Sequence, residues 1–122
     1  MQTAKLQRIA VAALEDIKGR DIEVINTTKL TSMFDRIIVA SADSTRQVKA
    51  LARNVREKVE QVGGDVLGVE GEDSGEWILV DLGSIVVHVM QPAVRSYYNL
   101  EELWHGRPKR AAGAKPESEP AT

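Results

Sequence analysis

Apolar residues in the first part of the chain recur at spacings that predict a helix followed by two strands. Over residues 6–17 they fall on one helical face, and Lys18-Gly19 then supply a basic last turn and the glycine that commonly ends a helix. Residues 21–25 alternate apolar and charged side chains, as a half-buried strand does. The continuous apolar run at residues 37–40 is typical of a central strand that is covered on both faces.

The same reading predicts a second helix, three more strands and a last helical segment. Ser44 and Gln47 have the spacing of a capping box, in which the serine accepts from the third helical amide and the glutamine reaches back. Apolar positions over residues 48–59 face inward, and Gly63-Gly64 end this helix. Strands are predicted at residues 66–69, 77–82 and 85–90, the last two forming a tight hairpin around Gly83-Ser84. Pro92 introduces a helical segment over residues 93–104.

This order of elements predicts the fold class and the domain limits. A strand–helix–strand crossover among further strands gives an α/β or α+β domain, with a mixed sheet of about five strands flanked by helices. The domain is expected to occupy residues 1–105. From Gly106 the sequence has little to bury, so residues 106–122 are predicted to form a disordered C-terminal tail.

Composition narrows the class of protein. A chain of 122 residues with 43% hydrophobic and 28% charged residues suits one globular domain. Its net charge of -2 provides no overall field for attraction to nucleic acid or to an anionic membrane. The absence of cysteine excludes disulfides and thiolate metal sites. No segment approaches the roughly 18 apolar residues of a membrane span, and the N-terminal residues lack the apolar run of a signal peptide. We therefore expect a cytoplasmic protein without a membrane partner.

The residues that catalysis or cofactor binding would need are sparse. His88 lies within a predicted strand and His105 near the tail, and neither stands beside a recognisable nucleophile. Asp35 would suit nucleotidyl transfer only with a second carboxylate to hold Mg²⁺, and none is placed nearby. No metal-binding spacing or phosphate-binding glycine motif occurs, and the acidic loop over residues 70–76 is typical of a solvated turn. The sequence therefore predicts no catalytic, metal or cofactor site.

Aromatic residues point instead to a protein-binding surface. Both tryptophans and both tyrosines lie within residues 77–104, and such side chains are the usual anchors of interfaces. Strand alternation places the candidate partner-binding residues on the hairpin face opposite Ile78 and Val80: Trp77, Leu79, Asp81, His88 and Met90, with Tyr98 from the last segment. Two alternatives remain open, namely that the last segment covers this face and makes Trp77 a core residue, and that His88 is a buried histidine hydrogen-bonded within the sheet.

Several segments share their order and spacing with a known family. They are Ser32-x-x-Asp35, Ser41-x-x-Ser44-x-Arg46-Gln47-Val48, Gly75-Glu76-Trp77-x-Leu79-x-Asp81, Val86-Val87-His88-Val89 and Arg95-x-x-Tyr98-x-Leu100-Glu101-x-Leu103-Trp104. Together they resemble the ribosomal silencing factor RsfS, or Iojap-like, family over roughly residues 3–105. One departure is Arg36, which follows Asp35 where the family commonly has an aromatic residue.

The resemblance implies a role without catalysis. Family members bind the large ribosomal subunit through its fourteenth protein, sterically block joining of the small subunit, and so lower translation when nutrients are scarce. Their fold is similar to nucleotidyltransferase domains but lacks the active site. Two alternatives from other classes are a degenerate or cryptic nucleotidyltransferase-like enzyme and a homodimeric interaction domain. A weak electrostatic contact with rRNA is also compatible with the basic tail residues Arg107, Lys109 and Arg110.

Overall fold

The computed structural model describes residues 1–105, which form helices packed on a five-stranded sheet. The helices are α1 (Thr3–Asp16), α2 (Thr45–Gln61), α3 (Pro92–Tyr98) and α4 (Leu100–His105). The strands are β1 (Arg20–Asn26), β2 (Arg36–Ser41), β3 (Gly68–Glu70), β4 (Trp77–Asp81) and β5 (Ile85–Met90). The predicted mixed sheet with flanking helices is confirmed. The predicted tail, residues 106–122, lies outside the described residues.

The strands lie in the order β1-β2-β5-β4-β3, with one parallel pair, β2 and β5, at the centre. The other neighbours, β1–β2, β5–β4 and β4–β3, are antiparallel. The parallel partner of β2 is thus β5, the last of the described strands, and not β3, which follows α2. Because both central strands have neighbours on either side and layers on both faces, Ile37, Ile38, Val39 and Ala40 are almost completely buried, as the continuous apolar run predicts.

Helices α1 and α2 cover one face of the sheet, and hydrogen bonds from α2 fix the end of α1. Ser44 Oγ accepts from the backbone N–H of Gln47 at 3.1 Å, as the capping box predicts. The prediction for the Gln47 side chain is wrong, because its Nε2 donates to the carbonyl of Ile17 at 3.1 Å and not back to Ser44. Asn54 Nδ2 similarly donates to the carbonyl of Ala13 at 2.7 Å. The last carbonyls of a helix have no partner within it, so side chains of α2 satisfy them and set the distance between the helices.

The C-terminal segment covers part of the opposite face, which we call the outer face. The single helical segment predicted over residues 93–104 is instead two short helices, because Asn99 adopts a left-handed conformation with φ 47°. Asparagine tolerates this conformation, and its Oδ1 then accepts from the backbone N–H of Glu102 at 3.2 Å. The main apolar core lies on the other face, beneath α1 and α2. The two short helices pack over a second apolar cluster, in which Ile25, Ile37, Val39 and Met90 are buried. Within residues 1–105, no helix has the length and apolarity needed to cross a bilayer.

Arg95 holds this segment at the β1–β2 side of the sheet. Its guanidinium donates to Glu101 Oε2 at 2.7 Å and to Ser41 Oγ at 2.8 Å, and lies 3.9 Å from Glu23 Oε1. The side chains of Arg95 and Glu101 are only 13% and 11% exposed. Since the anchor lies at the β1–β2 side, α3 and α4 leave much of the outer face over β3, β4 and β5 uncovered.

Candidate functional site

The uncovered part of the outer face forms a shallow cleft, which we call the outer cleft. Strand register places Glu70, Leu79, His88 and Val39 in one row across β3, β4, β5 and β2. The cleft has a volume of about 680 Å³ and is lined by Met33, Phe34, Ile37, Leu67, Glu70, Leu79, Asp81, Gly83, Val86, His88, Leu100 and Trp104. Its lining is mostly apolar, and its ionisable groups are two carboxylates and one imidazole.

The structure places the predicted partner-binding residues on the outer face, at different depths. Trp77, Leu79 and Asp81 are partly buried and alternate with the buried Ile78 and Val80, as predicted. Tyr98 on α3 is 53% exposed beside them, and His88 is only 8% exposed.

Met90, unlike the other predicted partner-binding residues, has no exposed surface. Its side chain is fully buried in the second apolar cluster, opposite Trp77 in the strand pairing. Its prediction as a contact residue is therefore revised, because a side chain without exposed surface supports the face from below and cannot touch a partner.

Trp77 joins the sheet to α3 through its neighbours. Its indole Nε1 donates a hydrogen bond to His88 Nδ1 at 3.0 Å, and its ring centroid lies 4.8 Å from that of Tyr98. Tyr97, whose ring lies 4.9 Å from Tyr98, is 81% exposed. Trp77 packs against the second cluster, as one of the two sequence interpretations has it, and remains only partly buried. Its role as a partner contact stays a prediction.

His88 is neutral at physiological pH because its surroundings disfavour the charged form. Desolvation by burial lowers the pKa of His88 from 6.5 to about 4. It is hydrogen-bonded within the sheet, as one of the two sequence interpretations has it, and it also lines the outer cleft. Its chemical role there is therefore that of a neutral hydrogen-bonding group.

The electrostatic character of the cleft is acidic. Asp81 Oδ1 accepts from the backbone N–H of Gly83 at 2.9 Å and so stabilises the β4–β5 turn, while Glu70 lies on the edge strand. The sequence from Gly63 to Val94 contains no lysine or arginine and six carboxylates: Asp65, Glu70, Glu72, Asp73, Glu76 and Asp81. This side of the molecule is therefore complementary to a basic partner.

Sequence reasoning missed one wall of the cleft. Met33 and Leu67 are 79% and 66% exposed. Met33 lies outside the predicted elements, whereas Leu67 lies within the strand predicted at residues 66–69, which in the structure begins only at Gly68. Phe34 and Trp104 meet edge to face, with ring centroids 5.4 Å apart, and close the end nearest α4. The available signal for both residues was their apolar character.

Asp35 has a structural role in this fold. Its Oδ2 accepts from the Thr3 hydroxyl at 3.1 Å, and its backbone N–H donates to the carbonyl of Ser84 at 2.7 Å. It thus ties the first turn of α1 to the start of β2. Among residues 1–105, no cluster of three or more histidine or carboxylate side chains is arranged to hold a metal ion. Nothing in this geometry favours a nucleotidyl-transfer site at Asp35.

Comparison with known proteins gives a consistent set of relatives. A family model described as "Ribosomal silencing factor during starvation" matches residues 1–122. "Ribosomal silencing factor RsfS" of Chromobacterium violaceum is 56% identical over 115 residues, covering 93% of this chain and 94% of that protein. A crystal structure of a C. violaceum protein superimposes with a TM-score of 0.84 at 53% identity, covering 96% of this chain and 92% of the other. The mouse "Mitochondrial assembly of ribosomal large subunit protein 1" is 32% identical over 97 residues, which are 77% of this chain and 42% of the mouse protein.

Proposed function

Because the chain belongs to the ribosomal silencing factor family, we propose that it binds the large ribosomal subunit and sterically blocks joining of the small subunit. The partner on the large subunit is its fourteenth protein, as the family resemblance implies, and the result is lower translation when nutrients are scarce. The name of the mouse relative, which refers to assembly of a ribosomal large subunit, supports a partner on that subunit.

The outer cleft is the observation that carries this proposal. Leu79 lines this concave site, and Trp77 and Tyr98 add aromatic surface beside it through the contact of Trp77 with His88. Aromatic and apolar surface around a concave site is the usual form of an interface hot spot. Asp81 and Glu70 at the same site offer carboxylates to a basic protein, and ribosomal proteins are generally basic. We therefore assign the contact to Trp77, Leu79, Asp81, His88 and Tyr98, with Met90 supporting them from within.

Steric blocking of subunit joining requires binding alone, and no covalent bond is made or broken. A domain of about 105 residues has a radius of gyration of about 13 Å, so it is far thicker than the contact distance between two docked surfaces. When it occupies the large subunit at a surface that the small subunit must approach, joining requires its release. The extent of inhibition then follows the occupancy of the site, set by affinity and concentration.

A pair of variants tests the assignment. Leu79→Lys places a cation in the acidic cleft, where it repels a basic partner, whereas Val62→Lys makes the same change at an exposed apolar residue at the end of α2. We expect wild-type protein and Val62→Lys to bind large subunits and reduce the assembled-ribosome peak in sucrose gradients. Leu79→Lys should lose both activities while keeping a cooperative thermal unfolding transition.

Two results would contradict the proposal. Assembled ribosomes that persist at saturating wild-type protein would remove the anti-association role. Equal loss of binding in both lysine variants would show that the outer cleft is not the contact surface. Sedimentation of the free protein at several concentrations separates these outcomes from self-association through the same face.

A further inference from the structure

The hydrogen bond between Trp77 and His88 fixes which nitrogen of the imidazole carries the proton. An indole N–H can only donate, so His88 Nδ1, at 3.0 Å from Trp77 Nε1, must be the unprotonated acceptor. A neutral imidazole carries one N–H, which in His88 must therefore be on Nε2. The residue is a hydrogen-bond donor of defined position, held by a neighbouring aromatic ring.

This donor has no acceptor within the described part of the chain. The only hydrogen bond of the His88 side chain found among residues 1–105 is the one it accepts from Trp77. His88 is 8% exposed, and it lines the outer cleft between Leu79 on β4 and Val39 on β2. Buried donors are rarely left unpaired in proteins, so a group that remains so at the floor of a cleft indicates a ligand contact.

The charges around His88 determine the kind of acceptor. Glu70 lies two strands away in the same row, and Asp81 lines the same cleft. An ionised carboxylate can only accept hydrogen bonds, and its negative charge repels an approaching anion. A neutral oxygen avoids this repulsion, and the main-chain carbonyl of a polypeptide is such an oxygen. A basic side chain of the same polypeptide can then pair with Asp81.

We propose that the Nε2–H of His88 donates a hydrogen bond to a main-chain carbonyl oxygen of a basic polypeptide segment bound in the outer cleft. This inference rests on the proposed function, since that segment would belong to the ribosomal partner. Trp77 acts here as a positioning residue: its indole N–H holds the imidazole in the donating tautomer, and its ring packs beside Tyr98.

Two substitutions of His88 test the roles of its two ring nitrogens separately. Asparagine offers an oxygen near the position of Nδ1 for Trp77 but is too short to donate from the position of Nε2. Glutamine reaches that position with an amide N–H. We expect His88→Asn to weaken binding to isolated large subunits about tenfold, as the loss of a buried hydrogen bond does. We expect His88→Gln to stay within about threefold of wild type at a similar melting temperature.

A measurement on the free protein tests the tautomer independently of the ribosome. Imidazole nitrogen shifts in NMR spectra should show protonated Nε2 and unprotonated Nδ1 in wild type. Trp77→Phe, which keeps an aromatic ring but removes the donor, should yield a mixture of tautomers.

The outcomes distinguish this inference from the proposed function. Wild-type protein that fails to bind large subunits would overturn the proposed function and with it the partner assigned to His88. Normal wild-type binding with equal affinity for His88→Asn would overturn the hydrogen bond alone. Protonated Nδ1 in the wild-type spectrum would overturn the tautomer assignment whatever the binding result.

Discussion

At the residue scale, the buried imidazole of His88 links folding stability to pH. Its folded-state pKa of about 4 lies below the unfolded value of 6.5, so the unfolded chain takes up a proton first as the pH falls. The stability contribution is therefore fully present above pH 6.5 and declines as the pH drops towards 4. We expect the free energy of unfolding to fall by about 2 kcal/mol from this residue between pH 7 and pH 5.

Urea unfolding at a series of pH values measures this effect, with His88→Gln as the control that does not titrate. Asp81 and Glu70 in the same cleft are common to both proteins, so the difference between the two curves isolates the imidazole. Parallel curves between pH 7 and pH 5 would show that the His88 pKa is not lowered in the folded protein.

Gly71 supports the position of Trp77 through the backbone. Its φ is +89°, and a Cβ placed there would lie 2.1 Å from the carbonyl oxygen of Trp77. Gly63 has a similar φ of +84° but nothing within 4 Å of an added Cβ, so Gly63→Ala reports the conformational cost alone. We expect chemical denaturation to show a loss of about 1 kcal/mol for Gly63→Ala and about 3 kcal/mol for Gly71→Ala. Equal losses would mean that the turn moves away from Trp77 without strain.

At the element scale, the ion pair between Arg95 and Glu101 decides whether α3 and α4 stay on the sheet. The Glu101 side chain is only 11% exposed, and Arg95→Leu removes the cation that pairs with its carboxylate. Removing one partner of a buried pair typically costs about 3 kcal/mol. We expect that loss of stability, together with faster hydrogen exchange in β1 and α4, where the cluster beneath becomes exposed to water.

The double variant Arg95→Leu with Glu101→Leu serves as the control for this prediction. Apolar residues of similar volume often replace a buried ion pair at little cost, so the double variant should recover most of the lost stability. A double variant as unstable as the single one would assign the effect to lost hydrogen bonds, such as that to Ser41.

Element boundaries also show how far the sequence determines the fold. Local patterns suffice for most of α1, for α2 and for the alternation of Trp77, Leu79 and Asp81, because burial on one face leaves a periodic signal. They misplace the end of α1, which stops at Asp16, so that Lys18 lies outside the helix with φ 64°. They place the third strand at residues 66–69 and not at Gly68–Glu70, and they miss the break at Asn99. The β2–β5 pairing, the Arg95 anchor and the wall formed by Met33 and Leu67 join distant residues, so no short window contains them.

At the scale of the whole molecule, charge is distributed unevenly. Helix α2 carries five basic and two acidic residues, namely Arg46, Lys49, Arg53, Arg56 and Lys58 with Glu57 and Glu60. The segment that contains β3, β4 and β5, residues 63–94, has six carboxylates and no lysine or arginine. If the outer cleft is the contact surface, as proposed, we expect the field of a basic partner to orient the molecule during approach so that the cleft arrives first.

We expect this orientation to appear in the association rate. Replacing Glu72 and Asp73 in the exposed loop before β4 with lysine should slow association with large subunits about tenfold at low salt. Dissociation should change little, and the difference should fade as salt screens the charges. The control replaces the exposed Glu15 and Asp16 at the end of α1, which alters net charge equally. Equal slowing in both variants would show that total charge, and not its placement, governs the encounter.

The central position of β5 has a consequence for folding during synthesis. This strand pairs with β2 on one side and β4 on the other, so it joins the β1–β2 hairpin to the β3–β4 hairpin, which are not neighbours in the sheet. A nascent chain that has not yet released residues 85–90 from the ribosome leaves the apolar edge of β2 open, and the sheet cannot close. Since β5 is the last of the five described strands to be synthesised, the sheet can close only after residues 85–90 have emerged.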